Sequence, residues 1–270
     1  MAQDYRFSDG AAYEQFMGRW TRAAGTIFLD WVAPPGGLRW LDIGCGTGAF
    51  TELVLETCSP AGLMAVDPSA AQIEIARSKP VAQRADFRVA DAQSLPFADG
   101  SFDVVASALV INFIPDRPRA LAEMRRVGHS GGVIAGYVWD FAAEHSANSP
   151  IRCGLGRIGI GLPAVPGTEA SRLEALSALF ATAGLEDIAT RTIDVTMSFP
   201  NFDEYWRTQT PAYNPAGKAV ASLSRADREK LMDVVRTLLP TAPDGSVSHT
   251  ARANAVKARV PERGSAGRRK

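Results

Sequence analysis

The stretch Leu41-Asp42-Ile43-Gly44-Cys45-Gly46-Thr47-Gly48-Ala49 sets three glycines on alternate positions directly behind a short apolar run. Lacking Cβ atoms, such a turn lets a ligand lie against backbone amides where the chain enters a helix. Gly44, Gly46 and Ala49 also satisfy the dinucleotide pattern GxGxxG/A, and Asp67 lies where a ribose-binding acid would fall. A diphosphate wants that helix opening free of negative charge. Asp42, two residues before Gly44, suits a cationic or zwitterionic ligand better. Another carboxylate comes at Ala90-Asp91-Ala92. Asp67, followed by Pro68, can hold a ribose diol, and Asp91 with the Ala92 amide can read an adenine edge.

Other reactive side chains are sparse. His145, behind the fifth apolar run, is the candidate for an acceptor-side base, with a plain surface histidine as the alternative. His129 and His249 have no supporting context. Cys45, Cys58 and Cys153 are odd in number and lack CxxC spacing, so they read as reduced thiols, with Cys45 inert inside the turn and no metal site expected. Tyr13, Trp20, Tyr137 and Trp139 could wall an acceptor pocket or simply pack. Arg19 could reach a ligand carboxylate or face water.

Five apolar runs position these groups: 39–43, 62–66, 87–90, 102–110 and 132–139, separated by helical patterns. Such alternation implies βαβ units and a parallel sheet with helices on both faces. Asp116 is placed to cap the helix holding Leu121, Met124 and Val127. An amphipathic stripe through Tyr13, Phe16, Met17, Trp20, Ala24, Ile27, Phe28 and Trp31 predicts an N-terminal helix, stopped at Pro34-Pro35-Gly36-Gly37. After Asp140 the rhythm breaks. Residues 141–167, rich in Gly, Pro and Ala, read as a long loop. A helix closed by Gly184, a strand at 186–199, a helical stretch over 201–245 and a last strand at 253–260 follow. Ser224 and Asp227 have capping-box spacing.

The 270 residues, 46% hydrophobic and 21% charged, fit one or two folded domains and argue against disorder. Basic and acidic residues balance at 29 each, which removes the usual argument for nucleic acid. The balance is uneven: 262–270 holds four basic residues and one acid, leaving a body of 25 basic and 28 acidic. No apolar run is long enough for a membrane helix, and the polar start makes a cytoplasmic location the expectation.

LDIGCGTGAF, VDPS, ADAQSLPFADGSFDVV and SALVINFIPD, in this order over about residues 38–140, resemble class I S-adenosylmethionine-dependent methyltransferases, in the subgroup similar to ubiquinone/menaquinone-biosynthesis enzymes. The resemblance implies a Rossmann-like doubly wound α/β fold with a seven-stranded, mostly parallel sheet of order 3-2-1-4-5-7-6, the last strand antiparallel. It also implies Gly44, Gly46 and Gly48 near the methionine part of the cofactor, with Asp42 and Cys45 in the same turn. Asp67 and Pro68 would then lie on the ribose, Asp91 and Ala92 at the adenine, and Ser107 and Ala108, after the fourth strand, at the methyl donor. Arg126-Val127-Gly128-His129-Ser130-Gly131-Gly132 departs from relatives, which have a leucine and a proline before the paired glycines. That puts the local turn in doubt. No Asn-Pro-Pro-aromatic or Asp-Pro-Pro-aromatic motif follows the fourth strand, and no cysteine follows a proline. Two classes of nucleic-acid methyltransferase are thereby disfavoured.

The expectation is one methyltransferase domain over 1–261, with an N-terminal helical cap (1–35), a cofactor core (38–140), a helical insertion (201–245) and a disordered basic tail (262–270). Its reaction would be methyl transfer from S-adenosylmethionine to a small apolar or aromatic molecule, by a monomer or homodimer, without nucleic acid. The alternatives are a non-catalytic S-adenosylmethionine-binding protein and an NAD(P)-dependent oxidoreductase. The latter lacks a Tyr-x-x-x-Lys pair at Tyr137, which is followed four residues later by Phe141.

Overall fold

In a computed structural model, residues 17–212 and 214–262 are described. Tyr13, Phe16 and most of the basic tail lie outside them. The elements run α1 (Arg19–Val32), β1 (Arg39–Ile43), α2 (Ala49–Thr57), β2 (Gly62–Asp67), α3 (Ala70–Ser78), β3 (Asp86–Val89), β4 (Phe102–Ala108), α4 (Arg117–Val127), β5 (Gly128–Trp139) and α5 (Ser149–Arg157). They continue with α6 (Leu173–Thr182), β6 (Glu186–Phe199), α7 (Phe202–Gln209), α8 (Pro215–Ser222), α9 (Arg225–Leu238) and β7 (Val247–Arg259). The strands form one sheet ordered β3-β2-β1-β4-β5-β7-β6. β1 to β5 pair in parallel, while β7 is antiparallel to both β5 and β6. This is the order expected from the sequence, with the reversed strand at the position expected.

The central strands are largely apolar because both faces are covered. On one face Trp40, Val104, Ala106, Ala135, Tyr137 and Trp139 pack with Phe28 of α1 and Phe50 and Leu53 of α2. On the other, Leu41, Ile43, Val105, Ile134 and Val138 pack with Leu121 and Met124 of α4 and Phe180 of α6. Asp42 therefore points to the α1–α2 side, between two hydrophobic neighbours in sequence. Lys257 of β7 donates to the Trp31 carbonyl at 2.6 Å and lies over the Trp31 ring, fastening α1 across the sheet.

Several caps follow the sequence. Asp116 accepts from the Arg119 amide at 3.1 Å, and Ser224 and Asp227 bond reciprocally at the start of α9. Gly184, at φ 71°, follows α6.

Three expectations need correction. Residues 141–167 are not one loop, since α5 lies inside them. Its Gly154 makes it a poor helix former alone, yet a Cβ there would stand 2.8 Å from both Leu231 and Val235 of α9. The glycine permits close helix packing, and the tertiary contact overrides weak propensity. The last strand begins at Val247 rather than at 253, extended by pairing with β6 from Phe199↔Val247 onward. The stretch 201–245 holds helices as expected, α7 to α9, with α7 ending at Gln209 and α8 and α9 meeting at Leu223-Ser224. β5 begins at Gly128 rather than at 132, and its opening is irregular: Gly131 has φ 76° and the β4–β5 register shifts between Phe102 and Val104.

Candidate cofactor and acceptor site

The strand order reverses between β1 and β4, where open α/β sheets bind ligands beyond the carboxyl ends of the strands. β1 delivers the glycine turn there. The Gly44 and Cys45 amides both donate to the Val66 carbonyl of β2, at 2.7 and 3.0 Å, and the Gly48 amide donates to the Cys45 carbonyl. Gly44, Gly46 and Gly48 have φ of 75°, 54° and 90°, a region closed to most side chains. At Gly44 a Cβ would sit 2.5 Å from both Val110 methyls. At Gly46 the nearest atom would be 3.9 Å away, so the turn offers open room at its apex.

Two carboxyls flank the turn. Asp67, at the end of β2, accepts from the Gly46 amide at 3.0 Å and from the Ser69 amide at 2.9 Å. Burial pushes its carboxyl up, opposed by these two N–H groups. Asp42 is fully buried and accepts a 2.6 Å hydrogen bond from Thr51 Oγ1 in the first turns of α2. Burial first, and the charge of Asp67 second among the raising causes, push Asp42 up to about 7 against the pull of the Thr51 hydroxyl. Its Oδ1 has no partner, nor do Thr47 Oγ1 in the turn and Ser107 Oγ at the end of β4. Buried polar atoms rarely stay unsatisfied, so these three mark a place for a polar ligand or ordered water. Cys45 is buried among these carboxylates, and burial raises its thiol well above the ordinary range, which leaves it neutral and inert.

The adenine-side candidates stand apart from this buried group. Ala92 is buried, whereas Asp91 is exposed at the rim and its carboxylate accepts from the Gln93 amide and side chain. The loop behind it is clamped by α4. Glu123 accepts from the Leu95 amide, while Arg126 donates to the carbonyls of Leu95 and Phe97 and to Asp99. The Glu123 and Asp99 carboxylates raise the Arg126 guanidinium further, keeping it charged. Pro68 is exposed and Ala108 half-buried. Ser107 and Ala108 end β4 itself rather than following it, a correction of two residues that keeps them at the carboxyl edge.

Above the edge of β5, Trp20 of α1 joins three distant segments. Its indole donates to Gln209 of α7 at 3.2 Å, and its ring meets Trp139 and His249 edge-on at 6.0 and 5.6 Å. The structure thus unites Trp20 and Trp139 in the hydrophobic core, where Trp20 has no exposed surface and both pack rather than line an open pocket. Tyr137 takes the packing role, between Phe28 and Phe50. Arg19 is exposed. His145 is exposed too; its backbone ties Asp140 to Arg252, and no ring hydrogen bond links it to the other candidates among the described residues. His249 packs into this cluster, a role with no local signal in the sequence because its partners are far along the chain. Thr51 left a fainter signal, a hydroxyl two residues into the helix behind the glycine turn. No group of three His, Cys, Asp or Glu that could hold a metal occurs among the described residues. None of their helices is long and apolar enough to cross a membrane.

Residues 41–136 match the methyltransferase domain family. The chain is 35% identical over 114 residues to a malonyl-[acyl-carrier protein] O-methyltransferase of Pectobacterium atrosepticum, covering 42% of this chain and 44% of that one. It is 36% identical over 108 residues to a ubiquinone/menaquinone biosynthesis C-methyltransferase of Dinoroseobacter shibae, covering 38% and 43%. The chain thus spans less than half the length of these relatives. In fold it is similar to Haemonchus contortus phosphoethanolamine N-methyltransferase 2, at a TM-score of 0.59 and 19% identity over 96% of this chain and 58% of that one. It is likewise similar to the YcgJ protein of Bacillus subtilis, at 0.57 and 19% over 89% and 99%. Residues 41–136 thus resemble a methyltransferase domain, and they sit in a seven-stranded sheet whose order is the one the motif resemblance implies.

Proposed function

We propose that the chain binds S-adenosylmethionine and transfers its methyl group to a small apolar or aromatic molecule. The observation that carries this reading is the set of unpartnered buried atoms, Asp42 Oδ1, Thr47 Oγ1 and Ser107 Oγ, around a glycine turn with open room above Gly46. A zwitterionic, hydrogen-bonding ligand suits that set, and the acid at Asp42 disfavours a diphosphate.

In this reading Gly44, Cys45, Gly46 and Gly48 run along the methionine part and Asp42 sets the charge beneath it. Asp67 and Pro68 meet the ribose, and Asp91 and Ala92 border the adenine. Ser107 and Ala108 face the methyl-bearing end. The bound cofactor supplies an electrophilic methyl on a sulfonium, already activated for displacement. The chain's own contribution is alignment: β1, β2 and β4 fix one reactant beneath the glycine turn. Orientation in a dry site accounts for large accelerations without a general base. The exposed His145 fits that economy.

Calorimetric titration tests the reading. Binding of S-adenosylmethionine in the low micromolar range is expected; heat with NAD(H) and none with S-adenosylmethionine overturns it. Release of S-adenosylhomocysteine on incubation with a panel of phenols, quinones and aromatic acids then distinguishes an enzyme from a binding protein.

A further inference from the structure

The segment after β5 folds back over itself and forms a partly open cavity of about 210 Å³, with Glu144 at its exposed rim. Glu144, Ser146, Ser149, Arg152 and Thr168 supply its polar lining, while Phe141 and Val165 give it an apolar side. The cavity carries one full charge of each sign, yet Glu144 and Arg152 do not pair with each other, and neither has an ion-pair partner among the described residues. The recorded side-chain bond of Arg152 goes to the Pro163 carbonyl at 3.1 Å, which fixes the guanidinium through one nitrogen and leaves its other donors available. Ser146 Oγ bonds to Asn148 and to Ser149 Oγ, and Thr168 Oγ1 donates to the Val165 carbonyl. These hydroxyls are thereby oriented and keep lone pairs for a ligand. The backbone at Glu144 has φ 56°, a left-handed conformation that non-glycine residues seldom adopt, and one seen most where function maintains it.

Opposite charges held apart across a small cavity complement a ligand carrying both. At about 210 Å³ the cavity is smaller than the roughly 300–1,000 Å³ usual for drug-sized ligand sites, so it suits a small ligand better than a nucleotide. We propose that this cavity binds a small zwitterion of the free amino-acid class, its carboxylate on Arg152 and its ammonium on Glu144. The planar guanidinium fork favours a carboxylate. Phe141 and Val165 cover the carbon skeleton. The proposal stands independently of the cofactor reading, since none of these residues belongs to the glycine turn or the strand ends.

The test is calorimetric titration of the full chain with a panel of the free proteinogenic amino acids, and of the best binder against its N-acetyl and methyl-ester derivatives. Saturable binding of at least one amino acid is expected, weakened at least about tenfold by either blocking group because each removes a charge-assisted contact. Arg152→Gln and Glu144→Gln should reproduce these losses while leaving the far-ultraviolet circular dichroism and S-adenosylmethionine titration unchanged. No binding by any amino acid overturns the proposal, as does equal binding of the N-acetyl derivative, which would make the cavity a simple anion site. Failure of S-adenosylmethionine to bind, with amino-acid binding intact, would count against the cofactor reading alone.

Discussion

Thr51 Oγ1 lies 2.6 Å from Asp42 Oδ2, and this hydrogen bond pins the start of α2 to a carboxyl wholly buried beneath the glycine turn. The other carboxyl oxygen has no partner. A group so placed favours its neutral form until something polar reaches it.

That favours a specific pH dependence. Asp42 is held up to about 7 when folded, against 3.8 ordinarily, so between those values the folded chain binds more protons than the unfolded one. Stability from this group is present below pH 3.8 and is lost as pH rises toward 7. The contribution is on the order of 4 kcal/mol at full extent. Denaturant melts of the ligand-free chain and of Asp42→Asn across this range should differ in slope, the variant lacking the decline. Parallel slopes would place the carboxyl's titration elsewhere.

Gly44→Ala should damage both fold and site. Its φ of 75° strains any side chain, and the new methyl would stand 2.5 Å from Val110. A loss of roughly 1–3 kcal/mol is expected by thermal or urea melt. Adding Val110→Ala should restore part of it, since the clash is relieved and the backbone strain is not. Full restoration would show that strain at this position is negligible.

Asp67→Asn keeps the shape of the carboxylate but turns an acceptor into a donor opposite the Gly46 or Ser69 amide. We expect S-adenosylmethionine affinity to fall at least about tenfold, with a stability loss of about 1–2 kcal/mol. Affinity within a factor of two of the parent would remove Asp67 from the ribose.

Arg126→Ala should loosen the loop behind Asp91 more than the fold. The side chain is one-third exposed and its partners include two loop carbonyls, so a loss of about 1–2 kcal/mol is expected. Amide hydrogen exchange over residues 91–100 should accelerate selectively. Uniform acceleration across the sheet would mean that Arg126 stabilises the whole domain rather than this loop.

Much of the site is legible in the sequence because its requirements are local. Left-handed φ at Gly44, Gly46 and Gly48 demands glycine, and Asp42 and Asp67 are fixed by strand ends whose apolar runs announce them. The reversed last strand and the sheet order followed from the motifs' resemblance, not from periodicity. By contrast, α5 reads as loop because Gly154 and Gly156 depress helix propensity, and only the face of α9 explains why Gly154 is there.

By itself, the sequence determined the alternation of strands and helices, the glycine turn and the acids around it, since φ/ψ preference and hydrophobic period act over a few residues. The tertiary structure alone decided that Asp42 is sealed in with Thr51, that Glu123 and Arg126 clamp the Asp91 loop, and that Glu144 and Arg152 share a cavity without pairing. It also decided that Trp20 reaches Gln209, 189 positions away, to bring α1 and α7 together over β5. Burial and desolvation depend on what the whole chain packs against a group, and no local pattern records that.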